Sequence, residues 1–264
     1  MADRFAGKKY LVTGGASGIG LATAQALFKR GAQLALWDVN APALEEAAGE
    51  LVAFPAWVDV TRHEVEPAMR QVREEMGGLD GVIHCAGILH TGLFEQIDRE
   101  RHQRMVEVNL GGTLAVAHAA LPFLRESKGS LVMMGSVSGF YGPPEYASYA
   151  ATKAGVLNFA QAIRIEVESA GVHVGVVTPN LVDTPMLSKE VRENAHLMSS
   201  KSPLMETSSA DLIAKAILRG LRRRDFMIYP TWRVRVVHWL TRYAAWSAHA
   251  LMRRTWRNAG GGVQ

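Results

Sequence analysis

A tyrosine and a lysine four residues apart carry the most reactive chemistry in this sequence. Tyr149 and Lys153 fall in a segment, residues 146–168, whose apolar residues recur every three or four positions, which predicts a helix. Their side chains then project from one helix face, within reach of each other. A phenol titrates near ~10, and a fixed ammonium nearby favours the phenolate. The pair could exchange a proton with an alcohol or carbonyl oxygen, although the same spacing also occurs on ordinary surface helices.

A glycine-rich turn near the N-terminus could hold a dinucleotide. It follows the strand pattern of residues 9–13 and precedes a helical pattern that runs to Arg30, which is the context that a dinucleotide fingerprint requires. Glycines allow a tight turn and close approach to a pyrophosphate, and the helix N-terminus offers free N–H groups. The spacing is G-x-x-x-G-x-G rather than the commonest Rossmann form, and a flexible loop is the alternative. The predicted cofactor contacts in this turn are Gly14, Ser17, Gly18, Ile19 and Gly20.

An acid at the end of the second predicted strand, residues 33–37, indicates which dinucleotide is bound. Asp38 stands about twenty residues past the glycine turn, where a carboxylate accepts hydrogen bonds from the adenosine ribose. It would repel a 2′-phosphate, and neither Ser17 nor Val39 supplies a countering cation. We therefore expect NAD(H) rather than NADP(H); the alternative is an ordinary loop acid.

Strand and helix patterns alternate along most of the chain, which predicts a doubly wound, Rossmann-type α/β fold. We expect about seven parallel strands with helices on both faces. Ligands of such sheets bind beyond the carboxyl ends of the strands. The residues predicted at that edge are Asp38, Asp59, Gly87, Ser136 and Pro179. The further strands are predicted at residues 53–58, 79–84, 130–134, 172–178 and 226–229, and the further helices at 64–76, 95–108 and 112–125.

Composition narrows the class of protein. The 264 residues, 48% hydrophobic and 20% charged, suit one large domain, predicted at residues 1–230, with a C-terminal extension at 231–264. One cysteine, Cys85, excludes an internal disulfide and fits a reducing cytoplasm. We expect no secretory signal and no spanning segment. Three histidines lack the spacing of a ligand set, so no metal is predicted. They are His84, His90 and His118.

Taken in this order and spacing, the motifs resemble those of the short-chain dehydrogenase/reductase family over residues 5 to about 230. They are Thr13-Gly14-x3-Gly18-Ile19-Gly20, Asp59-Val60, Ala86-Gly87, Asn109, Ser136, Tyr149-x3-Lys153 and Pro179-x4-Thr184. The chain departs from the family pattern in two places. Cys85 stands where Asn is usual, and Asn180 stands where Gly is usual.

The resemblance implies a role for each motif residue. Tyr149 would exchange the proton, and Lys153 would lower its pKa and hydrogen-bond the nicotinamide ribose. Ser136 would hold the reacting oxygen, and Asn109 would support a water-mediated proton relay. Alternatively, Ser136 is an ordinary loop serine and Ser138 is the competing candidate. Asn109 could likewise be an ordinary polar residue between helices. Further cofactor contacts are implied at Asp59, Val60, Ala86, Gly87, Pro179, Val182 and Thr184, of which Thr184 would bind the carboxamide and could also cap a helix.

The segment of residues 185–208, which covers substrate in the family, is rich in methionine and leucine and nearly free of aromatic residues. Methionine adapts to irregular apolar shapes, which favours a lipophilic alcohol or ketone of steroid, acyl or terpenoid type. Packing of these residues on the core is an equal alternative. The predicted substrate contacts are Ser136, Ser138, Phe140, Tyr141, Tyr146, Tyr149, Met186 and Leu187.

The C-terminal extension combines aromatic and basic residues. From Arg219 onward the chain has ten arginines and one acid, but no nucleic-acid-reading motif accompanies them. A helical pattern after Pro230 places Trp232, Val236, Trp239, Tyr243, Trp246 and Ala250 in one stripe. Another face holds Arg235, His238, Arg242 and His249. Such a helix either lies in a membrane interface or, as is commoner, packs on its own core or on a second subunit.

The sequence therefore predicts an NAD-dependent enzyme that interconverts a secondary alcohol and a ketone, works as a homo-oligomer and acts on a small molecule, not on nucleic acid. Oxidation is the direction that an NAD preference favours. The alternative is a non-catalytic dinucleotide sensor or scaffold on the same fold. Four residues count against it, since a sensor needs only the cofactor half. They are Asn109, Ser136, Tyr149 and Lys153.

Overall fold

The computed structural model describes residues 3–188 and 207–258 and has a parallel sheet at its centre. The strands are β1 (Lys9–Thr13), β2 (Gln33–Asp38), β3 (Phe54–Trp57), β4 (Gly81–His84), β5 (Ser130–Met134), β6 (His173–Val177), β7 (Val182–Asp183), β8 (Ser208–Ser209) and β9 (Met227–Ile228). Seven of them form one sheet in the order β3-β2-β1-β4-β5-β6-β9, and every pair is parallel. The order reverses between β1 and β4, which opens a crevice at the carboxyl ends of these strands.

Helices cover both faces of the sheet. They are α1 (Gly18–Phe28), α2 (Ala41–Leu51), α3 (Val65–Glu75), α4 (Arg99–Met105), α5 (Gly112–Ser127), α6 (Ala147–Glu168), α7 (Ala210–Arg223), α8 (Trp232–Tyr243) and α9 (Ala245–Asn258). One apolar core lies between the sheet and α3, α5 and α6, and a second lies between the sheet and α1, α2 and α7. The strands β2, β5 and β6 are buried on both faces, as parallel strands between helical layers must be, whereas the edge strand β3 is largely exposed. The predicted doubly wound Rossmann-type fold is confirmed.

The segment between α4 and α5 differs from the prediction of two separate helices. Residues Val106–Gly111 form a π-helical turn, so that α4, this turn and α5 make one continuous helical run. A π turn inserts an extra residue into the helix and often occurs at functional sites. Here it places Asn109 at full burial.

The C-terminal extension also differs from the prediction of one uninterrupted stripe. The chain breaks at Ala244 (φ −132°, ψ 42°), so Trp246 and Ala250 belong to α9 rather than to α8. α8 packs on the turn that follows β5, with Val234 buried and the ring of His238 stacked on Phe140. His238, predicted on the basic face with Arg235 and Arg242, thus faces the domain. Among the described residues, no helix is long and apolar enough to cross a membrane.

Candidate active site

A cavity of about 320 Å³ lies at the carboxyl ends of the strands, between the glycine turn and the start of α6. Every residue predicted from the sequence to contact cofactor or substrate lines it, except two. The exceptions are Asn109, which is fully buried behind the wall, and Phe140, which stacks on His238 with ring centroids 4.0 Å apart. The prediction that Phe140 lines the cavity is therefore wrong, because its ring packs against His238 of α8. The adjacent Tyr141, which was also predicted there, does line the cavity.

The backbone of the glycine turn packs so closely that Gly14 and Gly20 have no room for a side chain. Gly14 has φ +63°, and a Cβ there would lie 2.9 Å from the backbone nitrogen of Ala86. A Cβ on Gly20 would lie 2.0 Å from the carbonyl oxygen of Gly14, which α1 approaches directly. The turn and the N-terminus of α1 thus leave an open cradle of backbone N–H groups, which suits a pyrophosphate.

The carboxylate of Asp38 is fixed at the rim of this cradle. One oxygen accepts a hydrogen bond from the backbone N–H of Ala16, and the other accepts one from Asn40, both at 3.0 Å. Each oxygen keeps a further lone pair, because an ionised carboxylate has about four acceptor sites. The carboxylate is thus held by the turn itself and can accept hydrogen bonds from ribose hydroxyls.

The wall beyond Asp38 contains a cation that the sequence analysis did not identify. Arg104, on α4, donates to Asp59 at 2.9 Å and to Thr61 at 3.0 Å, and lies 3.5 Å from Glu107. Burial raises the pKa of the Asp59 carboxyl, but hydrogen bonds from Thr61 and Arg104 outweigh it and the net pKa is lowered. Arg104 precedes Asn109 by five residues, and its pairing with Asp59, 45 positions away, has no local sequence signal.

Ser136, Tyr149 and Lys153 meet at the centre of the cavity wall. Ser136 follows β5, where it begins a short 3₁₀ turn and accepts a hydrogen bond from the backbone N–H of Ser138 at 3.1 Å. Its side chain acts on the phenol of Tyr149 and favours a lower pKa there. The Nζ of Lys153 lies 5.6 Å from the centre of the Tyr149 ring. The first turn of α6 therefore brings the predicted proton-transfer groups together.

The pKa of Tyr149 departs from the expected direction. Burial raises it to about 12, although the neighbouring Ser136 side chain acts in the opposite direction. We had expected the neighbouring ammonium to lower it, but removing the phenol from water disfavours the phenolate more strongly. In the protein alone Tyr149 holds its proton at neutral pH and is therefore a proton donor.

Lys153 is a buried cation, 5% exposed. Its Nζ donates to the carbonyl oxygen of Met134 at 2.9 Å, and burial lowers its pKa to about 8. The two residues at the end of β4 stay neutral beside it. Burial lowers the pKa of His84 to about 3 and raises that of Cys85 to about 12. Lys153 is thus the one ionised group in this buried part of the described wall.

Asn109 supports the backbone that faces Lys153. Its amide oxygen accepts from the N–H of Ile88 at 2.8 Å, and its amide nitrogen donates to the carbonyl of Ile88 at 2.9 Å and to Thr152 at 3.3 Å. A Cβ on Gly87 would lie 3.1 Å from the same amide oxygen and 3.8 Å from the Nζ of Lys153. Asn109 therefore fixes the loop after β4; the proton relay implied by the resemblance stays a prediction.

The end of the cavity that is predicted to hold the substrate is largely apolar. It is bounded by Tyr141, Tyr146, Met186 and Leu187. Thr184 caps the helix that begins at Pro185, accepting from the N–H of Leu187 at 3.4 Å, so the predicted cap is present. Residues 189–206 of the predicted cover, including Leu197, Met198, Pro203, Leu204 and Met205, lie outside the described residues.

The sequence pattern of the family described as short chain dehydrogenase matches residues 8–195. The chain belongs to this family. It is accordingly an oxidoreductase that uses a nicotinamide dinucleotide, as the motifs predicted.

This short chain dehydrogenase has relatives with several substrates. It is 30% identical to a 3-oxoacyl-acyl-carrier-protein reductase of Thermotoga maritima, over 81% of this chain and 90% of the relative. It is 32% identical to 2-dehydro-3-deoxy-L-rhamnonate dehydrogenase (NAD(+)) of a Sphingomonas species, over 77% and 83%. It is 31% identical to 11-beta-hydroxysteroid dehydrogenase-like 6 of Arabidopsis thaliana, over 87% and 72%.

The described residues of this dehydrogenase fit a dinucleotide. The glycine cradle, the fixed carboxylate of Asp38 and the pair Ala86-Gly87 form one continuous wall that ends at Lys153. In residues 3–188 and 207–258, no group of three or more His, Cys, Asp or Glu side chains is arranged to hold a metal ion. His84, for example, is hydrogen-bonded to the hydroxyl of Thr13 at 2.8 Å.

Proposed function

We propose that this dehydrogenase interconverts a secondary alcohol and a ketone with NAD(H), on a lipophilic substrate of steroid, acyl or terpenoid type. One observation carries the proposal. The side chains of Ser136 and Tyr149 line the cavity together, where the cofactor wall meets its apolar end, and the Ser136 side chain acts on the pKa of the Tyr149 phenol. Two hydroxyls so placed can hold one substrate oxygen, whether alcohol, alkoxide or carbonyl.

The residues divide the chemistry between them. When bound, the nicotinamide supplies or accepts the hydride and, in its oxidised form, adds a positive charge beside the phenol. Tyr149 donates its proton to a carbonyl oxygen during reduction and takes it back from an alcohol during oxidation. Ser136 stabilises the negative charge that develops on this oxygen through a preorganised hydrogen bond. Lys153 favours the phenolate and holds the cofactor's nicotinamide ribose.

Asp38 supports NAD(H) as the cofactor. Its carboxylate lies at the ribose end of the cradle and is fixed by two backbone N–H groups. A 2′-phosphate would meet this negative charge without a cation from Ser17 or Val39. Arg104 also lines the cavity, but Asp59 already pairs with its guanidinium at 2.9 Å. One of the relatives is named for NAD(+).

Apolar side chains support a lipophilic substrate. Met186 and Leu187 line the cavity together with the ring residues Tyr141 and Tyr146. Charged anchors are absent from this end among the residues that the structure describes. The relatives named for 3-oxoacyl and hydroxysteroid substrates are consistent with this choice, whereas the one named for a rhamnonate is not.

A substrate panel tests the proposal. The full chain is mixed with NAD⁺ or NADP⁺ and with hydroxysteroids, long-chain 3-hydroxyacyl esters, terpene alcohols or sugar acids, and NAD(P)H formation is followed by absorbance. We expect activity with NAD⁺ and at least one lipophilic class. Binding of NADH without turnover of any substrate, in either direction, would instead support the non-catalytic sensor.

We also propose a cytoplasmic homo-oligomer. A single cysteine suits a reducing compartment. Most oligomers of soluble enzymes are symmetric assemblies of one chain. Light scattering of the purified protein measures the assembly, and a monomeric mass would contradict this proposal.

A further inference from the structure

We propose that the outer face of the C-terminal extension docks on an anionic lipid bilayer and holds the substrate end of the cavity against it. The docking face is defined by Trp232, Val236, Trp239 and Tyr243 of α8. The lipid contact stands on its own observations; only the delivery of substrate rests on the proposed function.

The aromatic stripe of α8 faces away from the protein. Trp239 is 59% exposed and Tyr243 is 73% exposed, and their rings lie 5.7 Å apart. At 3.6 residues per turn, these positions and Trp232 fall on one narrow side of the helix. Val234 and His238, which contact the domain, fall on the other side. The side of α8 that holds Val234 and His238 therefore packs on the domain, and the aromatic side is free to contact a different partner.

Basic side chains flank the aromatic stripe. Arg235 and Arg242 lie beside it on α8 and are exposed, as are three arginines near the end of α9. The extension from residue 231 onward contains six arginines and no acid. Tryptophan and tyrosine place an apolar ring and a polar tip at a lipid headgroup boundary, and arginine reaches anionic headgroups beside them. This is the composition of a helix that lies in the membrane surface.

The charge distribution favours lipid over a second copy of the chain. A two-fold interface through this face would bring the same patch of both subunits together. It would then place arginine against arginine with no acid in the extension to pair with them. An anionic bilayer supplies the opposite charge and also accepts the aromatic rings.

The docking face is joined to the cavity by direct packing. His238 stacks on Phe140 and is hydrogen-bonded to the hydroxyl of Tyr229. The residue after Phe140, Tyr141, lines the substrate end, and Ser138 lies in the 3₁₀ turn on which α8 packs. A bilayer that holds α8 would therefore lie next to the apolar end of the cavity, where a membrane-dissolved substrate could enter.

Vesicle binding tests the docking face. The full chain with NADH is sedimented with vesicles of phosphatidylcholine alone or with phosphatidylglycerol added. We expect binding that grows with the anionic lipid and falls with salt. The double variant Trp239→Ser/Tyr243→Ser should lose about tenfold or more in partitioning, and Arg235→Gln/Arg242→Gln should lose about tenfold on anionic vesicles only.

A matched variant separates these residues from exposed apolar residues in general. Ile165→Ser removes a side chain that is 74% exposed on α6 and should bind vesicles like the wild type. Unchanged NADH binding confirms that each variant is folded. Equal pelleting of the aromatic double variant and the wild type, or no pelleting of either, would overturn the proposal. The proposal would also be overturned if the wild type did not bind vesicles and the aromatic double variant changed from dimer to monomer in light scattering. No substrate is present, so these outcomes are independent of the proposed reaction.

Discussion

Replacing Lys153 by methionine should change how the stability of the protein depends on pH. Methionine keeps the length of the side chain and removes the ammonium, which is 5% exposed in the structure. Burial lowers the pKa of Lys153 from 10.5 to about 8. Between these two values the folded protein releases a proton that the unfolded chain still holds.

The size and sign of the effect follow from this difference. Where the unfolded state binds more protons, the free energy of unfolding rises with pH. A pKa that falls from 10.5 to about 8 corresponds to a change of roughly 3 kcal/mol in the free energy of unfolding. This stability is present in full above the pKa of the unfolded state and is lost as the pH falls through the pKa of the folded state. Relative to Lys153→Met, the wild type should gain stability by up to about 1.4 kcal/mol per pH unit across this window.

Urea denaturation of both proteins without cofactor, at intervals from pH 7 to pH 10, measures the difference. Other groups titrate in the same range, but they do so in both proteins and cancel in the difference. Burial raises the pKa of the Cys85 thiol to about 12, so in the folded protein this neighbour stays neutral throughout. Lys215→Met, which removes an exposed ammonium from α7, is the matched control.

The control should differ from the wild type by an amount that does not change with pH. The free energy of unfolding of the wild type relative to Lys153→Met should rise steadily from pH 8 upward. A constant difference for Lys153→Met would show that this ammonium is not held against a burial penalty. It would also refute the view that the site holds a buried ammonium, with a lowered pKa, beside the phenol of Tyr149.

Three further substitutions test other parts of the site. Asp38→Ala should shift the ratio of NADP(H) to NAD(H) affinity by about tenfold or more, because the carboxylate that repels a 2′-phosphate is gone; an unchanged ratio in fluorescence titration contradicts this. Gly20→Ala should weaken NADH binding at least tenfold, because the added Cβ would lie 2.0 Å from the carbonyl oxygen of Gly14. Asn109→Ala should lower the free energy of unfolding by about 2–4 kcal/mol, because two buried backbone groups lose their partner. The exposed amide substitution Asn158→Ala should cost little, and equal urea midpoints for the two would refute the supporting role of Asn109.

Local patterns were enough to predict which residues of the glycine turn and of the end of β2 lie at one cavity, because each of these parts is contiguous in sequence. The glycine turn, its strand and its helix are adjacent, and Asp38 ends the next strand. The predicted contacts in these elements all line the cavity; they are Gly14, Ser17, Gly18, Ile19, Gly20 and Asp38. The crevice position also followed from alternation alone, since parallel strands bring their carboxyl ends to one edge.

Contacts between distant segments could not be predicted in this way. Arg104 reaches Asp59 across 45 positions, and Phe140 is covered by His238 from a helix nearly a hundred residues later. The π turn at Asn109 was hidden because it continues the helical pattern on both sides. The pKa of Tyr149 likewise depends on burial, which residue spacing does not show.

In the C-terminal extension, the sequence predicted some features and not others. Its period predicted a helix with an aromatic side and a basic side, and α8 has the aromatic side exposed. The break at Ala244 was not predicted, because no glycine or proline marks it. Spacing places His238 on one face with Arg235 and Arg242, whereas in the structure His238 stacks on Phe140 of the domain.

The most direct test of the account is Tyr149→Phe, which removes one hydroxyl and keeps the ring. We expect turnover of any substrate found in the panel to fall by about 10²–10⁴ or more, while NADH binding stays within about twofold of the wild type. Wild-type turnover in this variant would show that the proton passes through another group, and the proposed mechanism would be wrong.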